Sequence, residues 1–180
     1  LASYGIACKQ YSPLKPFIST YHNSRDHRKI IVIDGKVSYT GGVNLADEYI
    51  NEKMRFGYWK DVAIKFIGNA TNTFTTLFLE MWNIDAPYTE VFLPYLAKNT
   101  TKESGFLIPY GDHPFDQEEV GKNVYLDMIH QAHECVHIMT PYLILDHEMI
   151  TAMKLAAQRG VEVIIIMPHI PDKLYAYLLA

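Results

Sequence analysis

Cysteine is nearly absent from this chain of 180 residues, with only Cys8 and Cys135. Two are too few for a disulfide framework, and their separation is not a metal-ligand spacing, so a bridge-stapled fold is excluded and a reducing compartment is expected. Long apolar runs are missing as well. A membrane-crossing helix needs about 18 or more consecutive apolar residues, whereas Val163 to Met167 has the length of a buried strand. Excess positive charge is also missing: 16 Lys and Arg stand against 20 Asp and Glu, a net charge of -4. No overall basic field is available to hold a polyanion such as duplex DNA, so no nucleic acid partner is expected and any phosphate chemistry must be local. What is present is core material. At 49% hydrophobic and 13% aromatic residues the chain can build one large core or two small ones, and disorder is excluded as its main state.

The chain begins at Leu1 without a methionine and stops at Ala180 inside a helix-like run from Lys173, so it reads as an excerpt of a longer protein. The lack of a targeting segment therefore says nothing about the parent. Near the start, Ile6 to Gln10 is expected as a short strand, followed by a loop carrying Pro13 and Pro16. A hairpin is expected at Ile30 to Tyr39, because Asp34-Gly35 separates two β-branched runs. With Asp34 and Gly35 as a two-residue loop, Ile33 would pair with Lys36, Lys29 with Thr40 and His27 with Gly42. A short helix from Asn44 to Asn51, a strand from Asp61 to Ile67 and a helix from Thr73 to Trp82 follow. Phe74, Leu77, Phe78 and Met81 form the apolar stripe of that last helix.

Asn83 to Phe115 contains Pro87, Pro94, Pro109 and Pro114 and is the candidate linker. A capping box of Asp116 with Glu119 would open a helix to about Glu134. A strand at Cys135 to Thr140, a helix from Asp146 to Arg159 and an apolar strand at Val161 to Met167 then form a βαβ unit with a parallel strand pair. That helix is apolar through Met149, Ile150, Met153 and Ala157, with Gly160 as its stop. A further helix is expected after Pro168. The fold class is α/β.

Chemistry concentrates on the hairpin, in Arg25 to Lys29, Asp34 and Gly41 to Asn44. Strand alternation sets His27 and Lys29 on one face. In the two-residue-loop register Thr40, Gly42 and Asn44 lie on that face too. An imidazole, an ammonium and a carboxamide beside unshielded glycine N–H groups suit a tetrahedral anion, with His27 able to attack phosphorus. Each member also has a plain structural reading. Asn44 could be a helix cap, Asp34 the turn residue, and Gly41-Gly42 a bulge or strand end. A second ligand-rich cluster, His130, His133, Cys135 and His137, divides between a helix face shared by the first two and a strand, and matches no metal spacing.

His27-Arg28-Lys29, four residues, Asp34, six residues and Gly41-Gly42-Val43-Asn44 together resemble the phospholipase D superfamily motif, His-x-Lys-x4-Asp-x6-Gly-Ser/Gly-x-Asn. Asn23 to Lys29, Tyr39 to Asn44, Asp47-Glu48-Tyr49 and Trp59-Lys60-Asp61 look like bacterial cardiolipin synthases. Pro141-Tyr142 and Ala157 to Val163 resemble the start of that family's second repeat. The resemblance implies a mixed sheet flanked by helices in a two-repeat architecture. Residues 1–83 would be the C-terminal part of the first repeat, 84–115 a crossover, and 116–180 the start of the second. It further implies His27, Lys29 and Asp34 as catalytic residues, and Lys29, Asn44 and Gly42 as phosphate binders. Gly41 and Asp61 would support them, Asp61 by orienting an imidazole.

The implied reaction joins two phosphatidylglycerols through a phosphohistidine and releases glycerol, without a metal or nucleotide cofactor. The substrate would be a membrane phospholipid, and the parent a membrane protein. Within the superfamily the alternatives are a phosphodiesterase or nuclease that uses water, or a non-catalytic anion-binding module. Where many superfamily members have Ser, this chain has Gly42. No second His-x-Lys-x4-Asp occurs from Gly121 to Ala180, since His133, His137, His147 and His169 all lack a Lys two residues on. The second motif is expected in a C-terminal part beyond Ala180.

Overall fold

The computed structural model describes residues 1–11, 26–84, 88–98, 105–112, 118–170 and 178. The chain is mixed α/β and divides into two units. One comprises Leu1–Tyr49 with Lys60–Gly111, the other Ile50–Trp59 with Asp112–Ala180.

The first unit is built on an antiparallel sheet of β1 (Ile30–Ile33), β2 (Val37–Gly41) and β3 (Ala63–Ile67), in that order, with helix α1 (Ala70–Asn83) packed on it. Asp34 and Gly35 both take left-handed backbone, at φ 53° and 63°. The Lys36 N–H closes the turn on the Ile33 carbonyl at 2.9 Å. Ile33 nevertheless pairs with Val37 and Ile30 with Thr40. The loop thus holds three residues, Asp34 to Lys36, and the register is one residue away from that of a two-residue loop. Because side chains alternate, Thr40 shares a face with Ile30 and not with Lys29. Gly35 is required at the turn: besides its positive φ, a Cβ there would lie 2.7 Å from the Tyr95 carbonyl.

Helix α1 starts earlier than its apolar stripe implies, and its buried face is rotated. Thr71, Phe74, Thr75 and Leu79 are buried, while Phe78 is half exposed and stacks on Trp82 at 5.8 Å. The sheet selects this face. Phe74 stacks on Phe66 of β3 at 5.3 Å, and Thr71 Oγ1 lies 3.2 Å from Ser38 Oγ of β2, both hydroxyls being buried. Such a pair tolerates burial because each hydroxyl satisfies the other.

Ile6 to Gln10 is not a strand. A single 3-10 turn spans Ala2–Tyr4, and Lys9 Nζ then reaches α1, donating to the Trp82 carbonyl at 2.6 Å and lying 4.4 Å from the Trp82 ring centroid. Asn44 to Asn51 contracts to a 3-10 turn at Asp47–Tyr49, since Asn51 leaves the helical region at φ 63°. The stretch after α1 is held by reciprocal amide bonds. Asn72 exchanges two with Ala97 (2.9 and 3.1 Å) and Asn83 two with Glu90 (3.1 and 2.8 Å).

The second unit holds α2 (Val120–Gln131), β4 (Cys135–Met139), α3 (His147–Gln158) and β5 (Glu162–Ile166), with β4 and β5 parallel as expected. Its core is Ile129, Ala152, Met153, Ala156 and Val161, against which Val136, Ile138 and Val163 pack from the strands. Of the expected α3 stripe, Met153 is buried and Met149 packs on the core. Ile150 and Ala157 are exposed instead of Ala152 and Ala156. Asp146 caps α3 by accepting from the Met149 N–H at 2.8 Å, and Gly160 follows it at φ 90°.

The expected Asp116–Glu119 box lies partly outside the described residues, and the helix begins at Val120 with Glu119 as its N-cap residue. Asp116 lies outside the described residues, and Glu119 makes no side-chain cap bond. Its carboxylate instead accepts from Lys122 at 3.1 Å. Lys122 also pairs with Asp146 at 2.7 Å and with Glu148, tying the starts of the two helices together, and these bonds push its ammonium pKa up. The α2 helix ends at Gln131, so His133 is not on a helix face with His130. Arg159 Nη2 donates to the freed carbonyls of Ile129 and His130, at 3.1 and 3.2 Å. A cation on the orphan carbonyls of a helix end relieves their unmet hydrogen bonding. The helix expected after Pro168 lies almost wholly outside the described residues.

Thr71→Val leaves Ser38 Oγ buried without its partner, and is expected to cost about 1–3 kcal/mol in chemical denaturation, whereas Thr71→Ser, which keeps the hydroxyl, costs clearly less.

Candidate active site

The hairpin ends nearest His27 and Gly42 open onto a cleft of about 150 Å³ lined by His27, Arg28, Lys29, Ile30, Thr40, Gly41 and Gly42. Phe74 and Leu77 of α1 and Tyr110 complete its wall. Residues 26–29 precede β1 and belong to no strand. This explains how Lys29 and Thr40 both reach the cleft despite the shifted register: strict alternation governs paired strand residues, and the polar segment lies beyond the ladder.

Lys29 Nζ is the centre of the cluster. It donates to the His27 carbonyl at 2.8 Å and lies 2.9 Å from Nδ1 and 3.1 Å from Nε2 of the same residue. One ammonium thus holds both the backbone and the ring of His27. Partial burial draws the Lys29 pKa below its ordinary value, and the carboxylates of Asp61 and Asp26 oppose that shift. His27 itself is exposed. An imidazole open to solvent can meet an incoming phosphate diester once the ammonium shifts from the ring nitrogens to a nonbridging oxygen, which frees the lone pair for attack.

The segment is locked by Asp26 and Arg28. Arg28 Nε donates to Asp26 Oδ1 at 2.9 Å, Nη2 to Oδ2 at 3.1 Å, and the Arg28 backbone N–H to Oδ1 at 3.0 Å. Burial by itself would raise the Asp26 carboxyl, but the bonds and charge of Arg28 hold it below the usual carboxylate value. Arg28 also sits close over Gly111, where a Cβ would lie 2.9 Å from Nη1.

Close approach of backbone requires the glycine at 41, while at 42 it leaves room for a side-chain carboxylate. A Cβ on Gly41 would enter the Val62 carbonyl and the Ala63 backbone, where β2 and β3 pair. A Cβ on Gly42 would lie 2.5 Å from Asp61 Oδ1. The Asp61 carboxylate therefore occupies the side of Gly42 where the superfamily's serine would project its side chain. Asp61 Oδ1 also accepts from the Val62 N–H at 2.8 Å, which fixes its direction.

Of the residues singled out from the sequence, His27, Lys29, Gly41 and Gly42 come together, with Asp61 against Gly42. Asp34 does not join them. It stands in the turn at the opposite end of β1, four residues or roughly 13 Å away at strand spacing. Asn44 is half-buried just past β2 and does not line the cleft; its carbonyl accepts from Ala46 N–H at 3.1 Å. Sequence patterning passed over Asp26 as a lock and Tyr110 as a wall. The i, i+2 acid–arginine spacing signalled the first, whereas Tyr110 sits in a proline-rich stretch with no periodicity to mark it. In the second unit His137 Nε2 pairs with Glu162 Oε2 at 2.9 Å. Among the described residues no group of three or more His, Cys, Asp or Glu side chains is arranged to hold a metal.

A family model described as "Cardiolipin synthase, PLD-like domain" matches residues 125–177. A Streptococcus mutans protein described as uncharacterized is 54% identical over 100% of the chain and 39% of its own length. Proteins named cardiolipin synthase from Alkalihalophilus pseudofirmus and Staphylococcus aureus (strain Mu50) are 37% and 34% identical, over 96% and 90% of the chain. The chain spans only 35% and 33% of those two relatives' lengths. No solved structure matches it. The chain is thus similar to phospholipase D-like proteins, and among them to bacterial proteins named cardiolipin synthase.

Two outcomes are expected at the site. Gly41→Ala meets the Val62 carbonyl and the Ala63 backbone and should lower stability by about 1–3 kcal/mol, whereas Gly42→Ala need only turn the Asp61 carboxylate aside and should cost less than about 1 kcal/mol, both read by denaturant unfolding. The Asp26–Arg28 lock depends on an ionised Asp26 whose folded pKa lies below its unfolded value of 3.8. Its stabilisation is fully present above that value and lost as pH falls through the folded pKa. Wild type should therefore lose more stability than Asp26→Asn as pH is lowered from 5 to below 3.8, measured by denaturant unfolding.

Proposed function

We propose that this chain is part of a phosphatidyltransferase that makes cardiolipin from two phosphatidylglycerols, with His27 as nucleophile. The observation that carries this reading is Lys29 Nζ held against the exposed ring of His27 in an open cleft floored by Gly41 and Gly42. The similarity to proteins named cardiolipin synthase supports the choice of substrate.

In the first half-reaction a His27 ring nitrogen attacks phosphorus of one phosphatidylglycerol. The P–N bond forms, the P–O bond to glycerol breaks, and a general acid protonates the departing glycerol oxygen. In the second, a hydroxyl of another phosphatidylglycerol loses its proton to the same group, now a base, and its oxygen displaces His27. Two displacements in succession retain configuration at phosphorus. Lys29 neutralises the charge that concentrates on the nonbridging oxygens, and the small Gly41 and Gly42 admit them closely. On this reading Asn44 is a further phosphate contact that forms with substrate bound, Asp34 acts through the turn it builds, and Asp61 positions the cluster. The scheme asks for no metal or nucleotide.

The same proposal assigns residues 1–83 to the end of a first repeat, 84–115 to a crossover and 116–180 to the start of a second. The acid–base group would be the histidine of a second motif, in a part of the protein outside this sequence. The substrate is a bilayer lipid, so the protein would work at a membrane surface, although no helix among the described residues is long and apolar enough to cross one.

The test is product analysis of labelled phosphatidylglycerol with the full-length protein. Cardiolipin plus glycerol is expected. Phosphatidic acid plus glycerol would replace transfer by hydrolysis, and binding without turnover would make the chain a non-catalytic anion-binding module. His27→Ala should abolish turnover together with the acid-labile phosphohistidine trapped in wild type, and full activity in that variant would overturn the assignment. Lys29→Ala should lower kcat by roughly 10²–10³-fold, as losing one charge-stabilising donor does in comparable sites.

A further inference from the structure

The segment Asn51–Trp59 is a loop closed on itself. Asn51 Nδ2 donates to the Trp59 carbonyl at 2.8 Å, and the Trp59 N–H donates to Asn51 Oδ1 at 2.6 Å. One side chain thereby fastens both ends of the segment. Inside the loop Phe56 packs on Trp59, ring centroids 5.8 Å apart, and the Arg55 guanidinium lies 4.9 Å from the centre of the Phe56 ring. Gly57 turns the chain at φ 78°. A short loop with pinned ends and its own side-chain packing is a built feature of the surface.

What this loop presents is unusual for a polar surface. Met54 is 71% exposed and Tyr58 77% exposed, although Phe56 and Trp59 beside them are half-buried. Met54 stands between two cations, Lys53 and Arg55, with Glu52 the one acid from Asn51 to Trp59. The loop is thus net positive in a chain whose net charge is -4. An adaptable thioether and a tyrosine, flanked by cations whose stems are themselves apolar, match the boundary between acyl chains and anionic headgroups. A soluble partner would more often meet a polar rim around a larger apolar patch.

We propose that the Asn51–Trp59 loop docks on an anionic bilayer, with Met54 and Tyr58 entering the acyl boundary and Lys53 and Arg55 facing lipid headgroups. The proposal deepens the lipid-transferase reading by giving its chain a way to engage the surface that holds the substrate. It uses no residue of the His27 cleft.

The test places an environment-sensitive fluorophore on a cysteine at position 54, as Met54→Cys, in the full-length protein without other reactive cysteines. The protein is added to phosphatidylcholine vesicles containing phosphatidylserine and brominated phosphatidylcholine, so that no phosphatidylglycerol is present. The expected result is a blue shift on vesicle addition and lipid quenching at least about twofold greater than for the same dye at position 128. Met128 is the reference because it is 54% exposed on α2. Quenching should fall when Lys53 and Arg55 are both changed to Gln, and when phosphatidylserine is omitted. A dye that stays solvated overturns the proposal. So does one that is blue-shifted without lipid quenching, because it is then covered by protein. The His27→Ala variant should quench like wild type, so a failure of the catalytic reading and a failure of loop docking give different results.

Discussion

Everything at the cleft depends on how closely two strands and a carboxylate can approach a pair of residues without side chains. At Gly41 the neighbour is the backbone of Val62 and Ala63, and at Gly42 it is the carboxylate of Asp61. Any Cβ at either place would push β3 away from β2 or turn Asp61 out. The position of Asp61 matters because its charge opposes the burial that draws the Lys29 ammonium down. Lys29 in turn holds His27. The chain of dependence runs from backbone approach to carboxylate, to cation, to imidazole.

The second constraint is the left-handed turn at Asp34 and Gly35. Its three-residue loop shifts the strand pairing by one residue, which reverses the faces that a two-residue loop would have matched. The cleft survives this because its polar residues lie before β1 begins. Asp26 and Arg28 supply there the rigidity that a ladder would otherwise provide, through three hydrogen bonds across two residues. A segment free of the ladder can point consecutive side chains into one cleft, which a strand cannot.

The second unit makes a different use of charge. Lys122 joins the beginnings of α2 and α3 through Glu119, Asp146 and Glu148, and Arg159 closes the end of α2. The opposite face of its sheet carries Cys135, His137 and Met139, with Glu162, Ile164 and Ile166, and is exposed. A parallel pair is ordinarily covered on both faces. The helices described here cover the face of Val136, Ile138 and Val163.

From the sequence alone the element types were legible for the hairpin, α1, α2, β4, α3 and β5, because periodicity and turn chemistry are local properties. The family resemblance was legible too, since His, Lys, Asp, Gly and Asn at fixed spacings between His27 and Asn44 are a chemical statement that needs no coordinates. The convergence of His27 and Lys29 with Gly42 could be anticipated, though by a register that the structure replaces. Tertiary structure decided the rest. It chose which face of α1 is buried, because Ser38 and Phe66 await it on the sheet. It left Ile6 to Gln10 without a strand to pair with among the described residues, and there Lys9 contacts Trp82. It put Tyr110 in the cleft wall and left Asp34 outside. Periodicity shows that a stripe or a strand end exists, but which atoms meet there depends on loop length and close approach, and both are set by contacts between residues far apart in the chain.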